Sequence, residues 1–359
     1  MTYKDIARAA QVSTATVSRV LAGTGQVSEE RRDRVLAAVD GLSYRPSRAA
    51  RTLRRQRADT IGLIVSDVEY PFVASIARAV ENAAAARGFA LAVCNSDENL
   101  GRERTYIDLL IEEQVAGVII SPATEDPGAL RPLRDARVPV VTLDRRIDAQ
   151  YTDNVLLDNA AATQMLLADL LAHGHRHFAA VVGTTAATPS RERLEAMRSE
   201  LERVPGATLV VAGSRLGDTV GVRQTLETVG PAVLALTRAA HPEPTAYVCA
   251  NAVMLTSLLE ALHDQGVAVP DDVAVVCFDD MPGFSLFATP VTCVTQPTRR
   301  IATKAVELLF SRMAEPGLPS RTTLLTPELV TRRSCGHGSG IDRAACASST
   351  NEPQEQELT

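Results

Sequence analysis

From residue 60 onward the sequence alternates short apolar runs with helix-length stretches, and this alternation constrains the fold more than any other feature. The runs are TIGLIVSD (60–67), FALAVCN (89–95), GVIIS (117–121), PVVTLD (139–144), HFAAVVG (177–183), ATLVVAG (207–213), AYVCA (246–250) and VAVVCFD (273–279). Strands separated by helices build parallel sheets from βαβ units. Eight such strands suit two Rossmann-like lobes better than one closed barrel. The expected first lobe is about 60–157 plus 291–320, and the second about 158–290 plus 321–334, with the chain crossing back near 291–297.

The chain of 359 residues suits two or three domains. No apolar run approaches the roughly 20 residues that span a bilayer, and MTYKDIARAA lacks the apolar core of a signal peptide, so a cytoplasmic protein is expected. Six scattered cysteines form no CxxC pair. Four lie in strand-like runs, which favours buried free thiols over a disulfide framework or a zinc site.

Charge is segregated. Residues 1–57 carry twelve basic side chains against five acidic ones, leaving 25 basic against 38 acidic in the rest. A small basic head on an acidic body points to a nucleic-acid contact confined to the head. Arginine dominates throughout, since only Lys4 and Lys304 are lysines, but that bias does not explain the segregation of sign.

Within the head, Ile6, Ala7 and Ala10 recur at helical spacing over 3–10. After QVS, Ser13 is a candidate N-cap for a second helix over 14–21, in which Val17, Val20 and Leu21 share a face. That leaves Thr14, Ala15, Ser18 and Arg19 outward. Two short helices joined by a tight turn around Val12 read as a helix-turn-helix, whose second helix enters the major groove. Arg19 can bond a guanine edge or a phosphate, and Thr14 or Ala15 can meet a thymine methyl. A third helix, about 28–41, is expected to open on Ser28, with Glu29 and Glu30 at its positive end and Val35, Leu36 and Val39 inward.

YRPSRAARTLRRQR (44–57) surrounds small residues and Leu53 with six arginines. As a free peptide it has little to bury. On DNA the phosphates would neutralise it, Ala49 and Ala50 would allow close approach, and Leu53 could wedge between base steps. A solvated linker is the alternative.

YKDIARAAQVSTATVSRVLAG, followed by VSEERRDRVLAAVDGLSYRPSRAARTLR, resembles the DNA-binding head of the lactose-repressor (LacI/GalR) family of bacterial transcription regulators, and the likeness runs on to LVTRRS at 329–334. The resemblance implies a helix-turn-helix head (1–43), a hinge helix (44–59) and an effector-binding, dimerising body (60–334) of periplasmic-binding-protein type. It implies a homodimer on a near-palindromic double-stranded DNA operator, without a membrane role. Its hinge contacts would fall on Ser47, Arg48, Ala50 and Leu53. It departs from the family pattern at Gln11, where a turn glycine is usual, and at Ala22, Ser47, Ala196 and Ala252. The tail 335–359 is expected to be disordered, and it lacks the leucine heptads of a tetramerising coiled coil.

In open α/β sheets ligands bind beyond the carboxyl ends of the strands. The residues there include Asp67, Tyr70 and Phe72, then Asp144 and Arg145, Asp158 and Asn159, Arg191 and Arg193, Asn251, and Asp279 and Asp280. Carboxylates, an amide and arginine beside an aromatic wall suit a polyhydroxylated ligand, a sugar or nucleoside. Asp158 and Asp280 read equally as caps or inter-lobe contacts. The family's effector contacts match best at Asp144, Arg193, Asn251 and Asp279, and Tyr70, Phe72 and Arg191 complete the candidate set.

His173, His175 and His177 alternate, which suggests either a metal or, with Gly174, a helix-to-strand junction; the junction is preferred and no metal or cofactor is expected. No catalytic spacing appears, so a repressor is expected and not an enzyme. A transport-type binding protein would share the body but have no use for a basic head.

Overall fold

The computed structural model describes residues 2–22, 25–42, 58–212 and 222–336. It divides into two compact units, residues 1–58 and 59–359.

The first unit holds three helices, α1 (Tyr3–Ala9), α2 (Thr14–Ala22) and α3 (Glu29–Gly41). Asp5 opens α1 by accepting from the Thr2 N–H at 2.7 Å, and the Ser13 hydroxyl accepts from the Thr16 N–H at 3.1 Å to open α2. Between them Gln11 takes the left-handed conformation, φ +52°, that a glycine would adopt more easily. Ile6, Val17 and Val35 are fully buried against Ala7, Ala10, Val20 and Ala38. Leu36, expected inward, is instead 45% exposed, and Ala38 takes the inner place. Positions 35 and 38 share a helix face, whereas 36 is turned about 100° away.

The second unit runs β1 (Thr60–Val65), α4 (Pro71–Ala85), β2 (Ala90–Asn95), α5 (Leu100–Glu112), β3 (Gly117–Ile120), α6 (Arg131–Asp135), β4 (Val140–Leu143) and β5 (Thr152–Leu157). It continues α7 (Asn159–Ala172), β6 (His177–Val181), α8 (Thr188–Leu201), β7 (Thr208–Ala212), α9 (Val222–Arg238), β8 (Ala246–Cys249), α10 (Ala252–Asp264) and β9 (Ala274–Phe278). It ends with β10 (Thr292–Thr295), α11 (Thr298–Ala314), β11 (Thr322–Leu325) and β12 (Glu328–Val330). Two six-stranded sheets result, β11-β5-β4-β3-β1-β2 and β12-β10-β9-β8-β6-β7. Every pairing is parallel except β10 with β12.

The eight apolar runs become β1 to β4 and β6 to β9. Four strands were not expected. β5 begins with Thr152, Asp153 and Asn154, all buried, so its polarity hid it. Asp153 is held there by Arg312 at 2.8 and 2.9 Å, and Asn154 by the Thr142 hydroxyl at 2.6 Å.

The return of the chain also differs from expectation. β10 lies within 291–320 yet pairs with β9 of the second lobe, and β11, assigned to the second lobe, pairs with β5 of the first. Of that stretch α11 packs on the first lobe, where Ile301, Ala305 and Leu309 join Ile61 and Val80, and the Ser320 hydroxyl donates to the Thr152 carbonyl of β5 at 2.6 Å. Each parallel sheet is thereby extended at one edge by chain returning from the other, so the lobes share three crossings, after β5, β10 and β11.

Cys94, Cys249, Cys277, Cys293 and Cys335 are buried free thiols; Cys346 lies outside the described residues. Cys335, expected in the disordered tail, is packed into the body, its carbonyl accepting from His175 Nε2 at 2.7 Å. The rest of the tail, 337–359, is outside the described residues. Among the described residues no helix is long and apolar enough to cross a membrane.

Candidate functional site

The carboxyl ends of both sheets face one cavity of about 350 Å³ between the lobes. Six of the seven candidate effector residues line it: Tyr70, Phe72, Asp144, Arg193, Asn251 and Asp279. Tyr70 and Phe72 enter from the start of α4, Arg193 from α8, and Asn251 from the cap of α10, where it accepts from the Met254 N–H at 2.9 Å. That cap is the task an aspartate at 252 could have shared; Ala252 is simply buried.

Arg193 is the centre of the wall. Its Nε donates to Asn159 Oδ1 at 2.8 Å and its Nη1 to the Ala250 carbonyl at 2.6 Å. Its guanidinium carbon lies 4.0 Å from the Phe278 ring centroid, a stacked cation–π contact. Asn159 is itself oriented by Glu192, 2.8 Å from its Nδ2. Burial pushes both the Asp144 and Asp279 carboxyls above the usual carboxylate range, with the Arg193 charge working against that rise. Burial likewise pushes the Tyr70 phenol up, opposed by its hydrogen bond to Thr225. Tyr70 and Thr225 therefore join the two lobes at the cavity wall.

Arg191 does not line the cavity. Two helix positions away from Arg193, it is turned about 200° around the axis, and its Nη2 donates to both Glu125 oxygens at 3.0 and 2.9 Å. The Thr188 hydroxyl also donates to Glu125. These contacts bridge α8 of the second lobe to the loop after β3 of the first.

Three cavity residues were missed or left aside. Gln296 follows β10, a strand that did not read as one, and its Nε2 donates to Asp279 Oδ1 at 2.7 Å. Glu98 follows β2 and accepts from Arg145 Nη2 at 2.7 Å; its position past a recognised strand was the available signal. Thr225 projects from inside α9, with no sequence signal at all. Of the other residues considered, Asp158 caps α7 through the Ala161 N–H at 2.9 Å. Asp280 pairs with Arg332 at 2.7 and 2.9 Å within the second lobe, neither cap nor inter-lobe contact.

The three histidines have separate partners. His173 Nδ1 is 2.8 Å from the Asp169 carbonyl, His175 lies between Thr245 and Cys335, and His177 is 3.0 Å from the Thr208 hydroxyl. Gly174 at φ +86° ends α7, the junction geometry. Among the described residues no group of three His, Cys, Asp or Glu side chains is arranged to hold a metal ion.

In the first unit, Thr14, Ala15 and Arg19 of α2 are exposed and Ser18 is half-exposed, opposite the buried Val17 and Val20. These are the four residues proposed for base and phosphate contact. Ser47, Arg48, Ala50 and Leu53 lie outside the described residues.

Two family models match. Residues 2–47 match the bacterial regulatory proteins of the lacI family, and 167–335 a periplasmic binding protein-like domain. The HTH-type transcriptional repressor PurR of Photobacterium profundum is 31% identical over 93% of this chain and 98% of its own. The ribose operon repressor of Halalkalibacterium halodurans is 30% identical over 96% of this chain and 99% of its own. The crystal structure of the lac repressor dimer bound to operator and the anti-inducer ONPF superposes with a TM-score of 0.76 at 25% identity, covering 94% of this chain and 99% of that one.

Proposed function

We propose, since the chain belongs to the lacI family of bacterial regulatory proteins, that it is a sequence-specific repressor whose hold on an operator is set by a small polar metabolite, of sugar or nucleoside class, bound between the lobes. It works as a homodimer on double-stranded DNA, in the cytoplasm where that DNA lies, and it does not turn its ligand over. The observation that carries the reading is one chain with two devices. Its α2 keeps a polar face exposed over a buried valine face, and its lobes close on a cavity lined by Asp144, Arg193, Asn251 and Asp279. α2 reads bases in the major groove, with Arg19 on a guanine edge or phosphate and Thr14, Ala15 and Ser18 beside it. Ser47, Arg48, Ala50 and Leu53 extend that contact into the minor groove. The coupling is reciprocal: whatever factor the effector applies to operator affinity, the operator applies to effector affinity.

The test is recovery of bound fragments from sheared genomic DNA by the full-length protein. Enrichment of a few near-palindromic sites, lost in Arg19→Ala and altered by a metabolite, is expected. Recovery no different from random fragments would end the proposal.

A further inference from the structure

We infer that the cavity between the lobes is built for an uncharged, hydroxyl-rich effector and rejects anionic ones, sugar phosphates and sugar acids included; this rests on the ligand-binding role proposed above. On the acceptor side, no described residue donates to the Asp144 carboxylate. Asp279 accepts from Gln296 Nε2 alone among the described residues, through one of its two oxygens. The Gln296 Oε1 atom is buried with no donor among the described residues. Glu98 adds a third carboxylate to the lining.

The charged donors are two arginines. Arg193 gives one N–H each from Nε and Nη1 to Asn159 and Ala250 and lays its planar face on Phe278, so the second Nη1 N–H and both on Nη2 are left for ligand hydroxyls to meet. Arg145 gives one Nη1 N–H to the Pro122 carbonyl and one Nη2 N–H to Glu98, and its buried Nε has no acceptor among the described residues. No lysine lines the cavity.

Helix N-termini are the usual backbone sites for phosphate, and each of those around this cavity has one of its free N–H groups missing or taken. α4 opens on Pro71 and α8 has Pro189 in its first turn, and neither proline has an N–H to offer. In α10 and α5 a cap side chain already occupies one of them, Asn251 on the Met254 N–H and Asn99 on the Arg102 N–H. A phosphate or carboxylate placed among these groups adds negative charge to a wall that already sets three carboxylates against two arginines, one of which, Arg145, is ion-paired with Glu98. Like-charge juxtaposition in a desolvated site is strongly unfavourable. A hydroxyl, in contrast, donates to Asp144, Asp279 or Gln296 Oε1 and accepts from Arg193 Nη2.

The experiment is isothermal titration of the full-length protein with matched pairs: ribose and ribose 5-phosphate, glucose with gluconate and glucose 6-phosphate, adenosine and adenosine 5′-monophosphate. The tightest ligand is expected to be neutral, with its anionic partner at least about tenfold weaker. In Asp279→Asn, checked for native melting, that ratio narrows because one repelling charge is gone. An anionic compound that binds tightest, or within tenfold of its neutral partner, overturns the inference and leaves the ligand-binding role standing. Silence from every compound, neutral and charged, overturns both.

Discussion

Asp144 and Asp279 are counterparts across the cavity. Each is the first residue past the strand that sits third from one edge of its sheet, β4 in one lobe and β9 in the other. Both hold a left-handed backbone, at φ +63° and +73°, which costs a non-glycine residue roughly 1–2 kcal/mol. Both carboxylates feel the Arg193 charge and line the cavity where a ligand would meet them. Asp279→Asn keeps the amide-compatible backbone and an acceptor for Gln296 but removes the charge. Effector affinity measured by calorimetry should fall at least about tenfold, the loss of a hydrogen bond to a charged group, while operator affinity in a gel-shift without effector stays unchanged. A full effector response in this variant would remove Asp279 from the site.

The same pair sets a pH dependence. Burial raises both carboxyls in the free protein, against the Arg193 charge, with Arg145 and Glu98 also acting on Asp144. Ligand hydroxyls donate to the ionised form, so binding favours loss of a proton. Effector affinity should therefore be complete well above the raised carboxyl values and fall as pH drops through them, a window above that of an ordinary aspartate. Titrations at several pH values in buffers of different ionisation enthalpy should show proton release on binding. Affinity that strengthens as the solution is acidified would contradict the sign.

Glu125 holds Arg191 and Thr188 across the lobes. The pair is part-exposed, so its worth is on the order of 1 kcal/mol. Glu125→Ala should weaken effector binding by a few-fold and widen the ligand-free scattering profile, with melting temperature nearly unchanged. No change in either affinity or scattering would mean the contact does not bias the lobe angle.

Asp153 is fully buried with Arg312 and also accepts from Arg321 at 2.9 Å. Burial works to raise its carboxyl, but the hydrogen bonds from Arg312 and Arg321 prevail and hold it below the usual range. The stability it contributes is present above the unfolded value and is lost as pH falls through the depressed folded one. Asp153→Ala strands the Arg312 charge in the interior and should cost about 3–5 kcal/mol in urea unfolding. A loss below about 1 kcal/mol would show that water reaches Arg312.

Gln11 occupies the left-handed turn between α1 and α2. Gln11→Gly should stabilise the first unit by about 0.5–1 kcal/mol, the strain relieved less the added chain entropy. Differential scanning calorimetry of the full chain would register it as a shift of the transition that includes that unit, and a lower midpoint would contradict the strain.

What the sequence by itself determined is what each segment buries. The valine face of α2 and its exposed Thr14, Ala15 and Arg19 follow from helical spacing, and eight of the strands from apolar runs, because burial of an element's own face is a local property. Asp144, Arg193, Asn251 and Asp279 were among the residues legible past the strand ends, where such sheets bind ligands, and the family resemblance picked them out of that set. Only the tertiary structure decided partners. Glu98 meets Arg145 across 47 residues and Arg191 meets Glu125 across 66, so no local pattern links them. β5 is buried through charges compensated 159 residues later by Arg312, and β10 and β11 each join the lobe opposite to the one expected. Those choices rest on which edge of which sheet remains unpaired once the lobes have formed, and no periodicity within a segment encodes that.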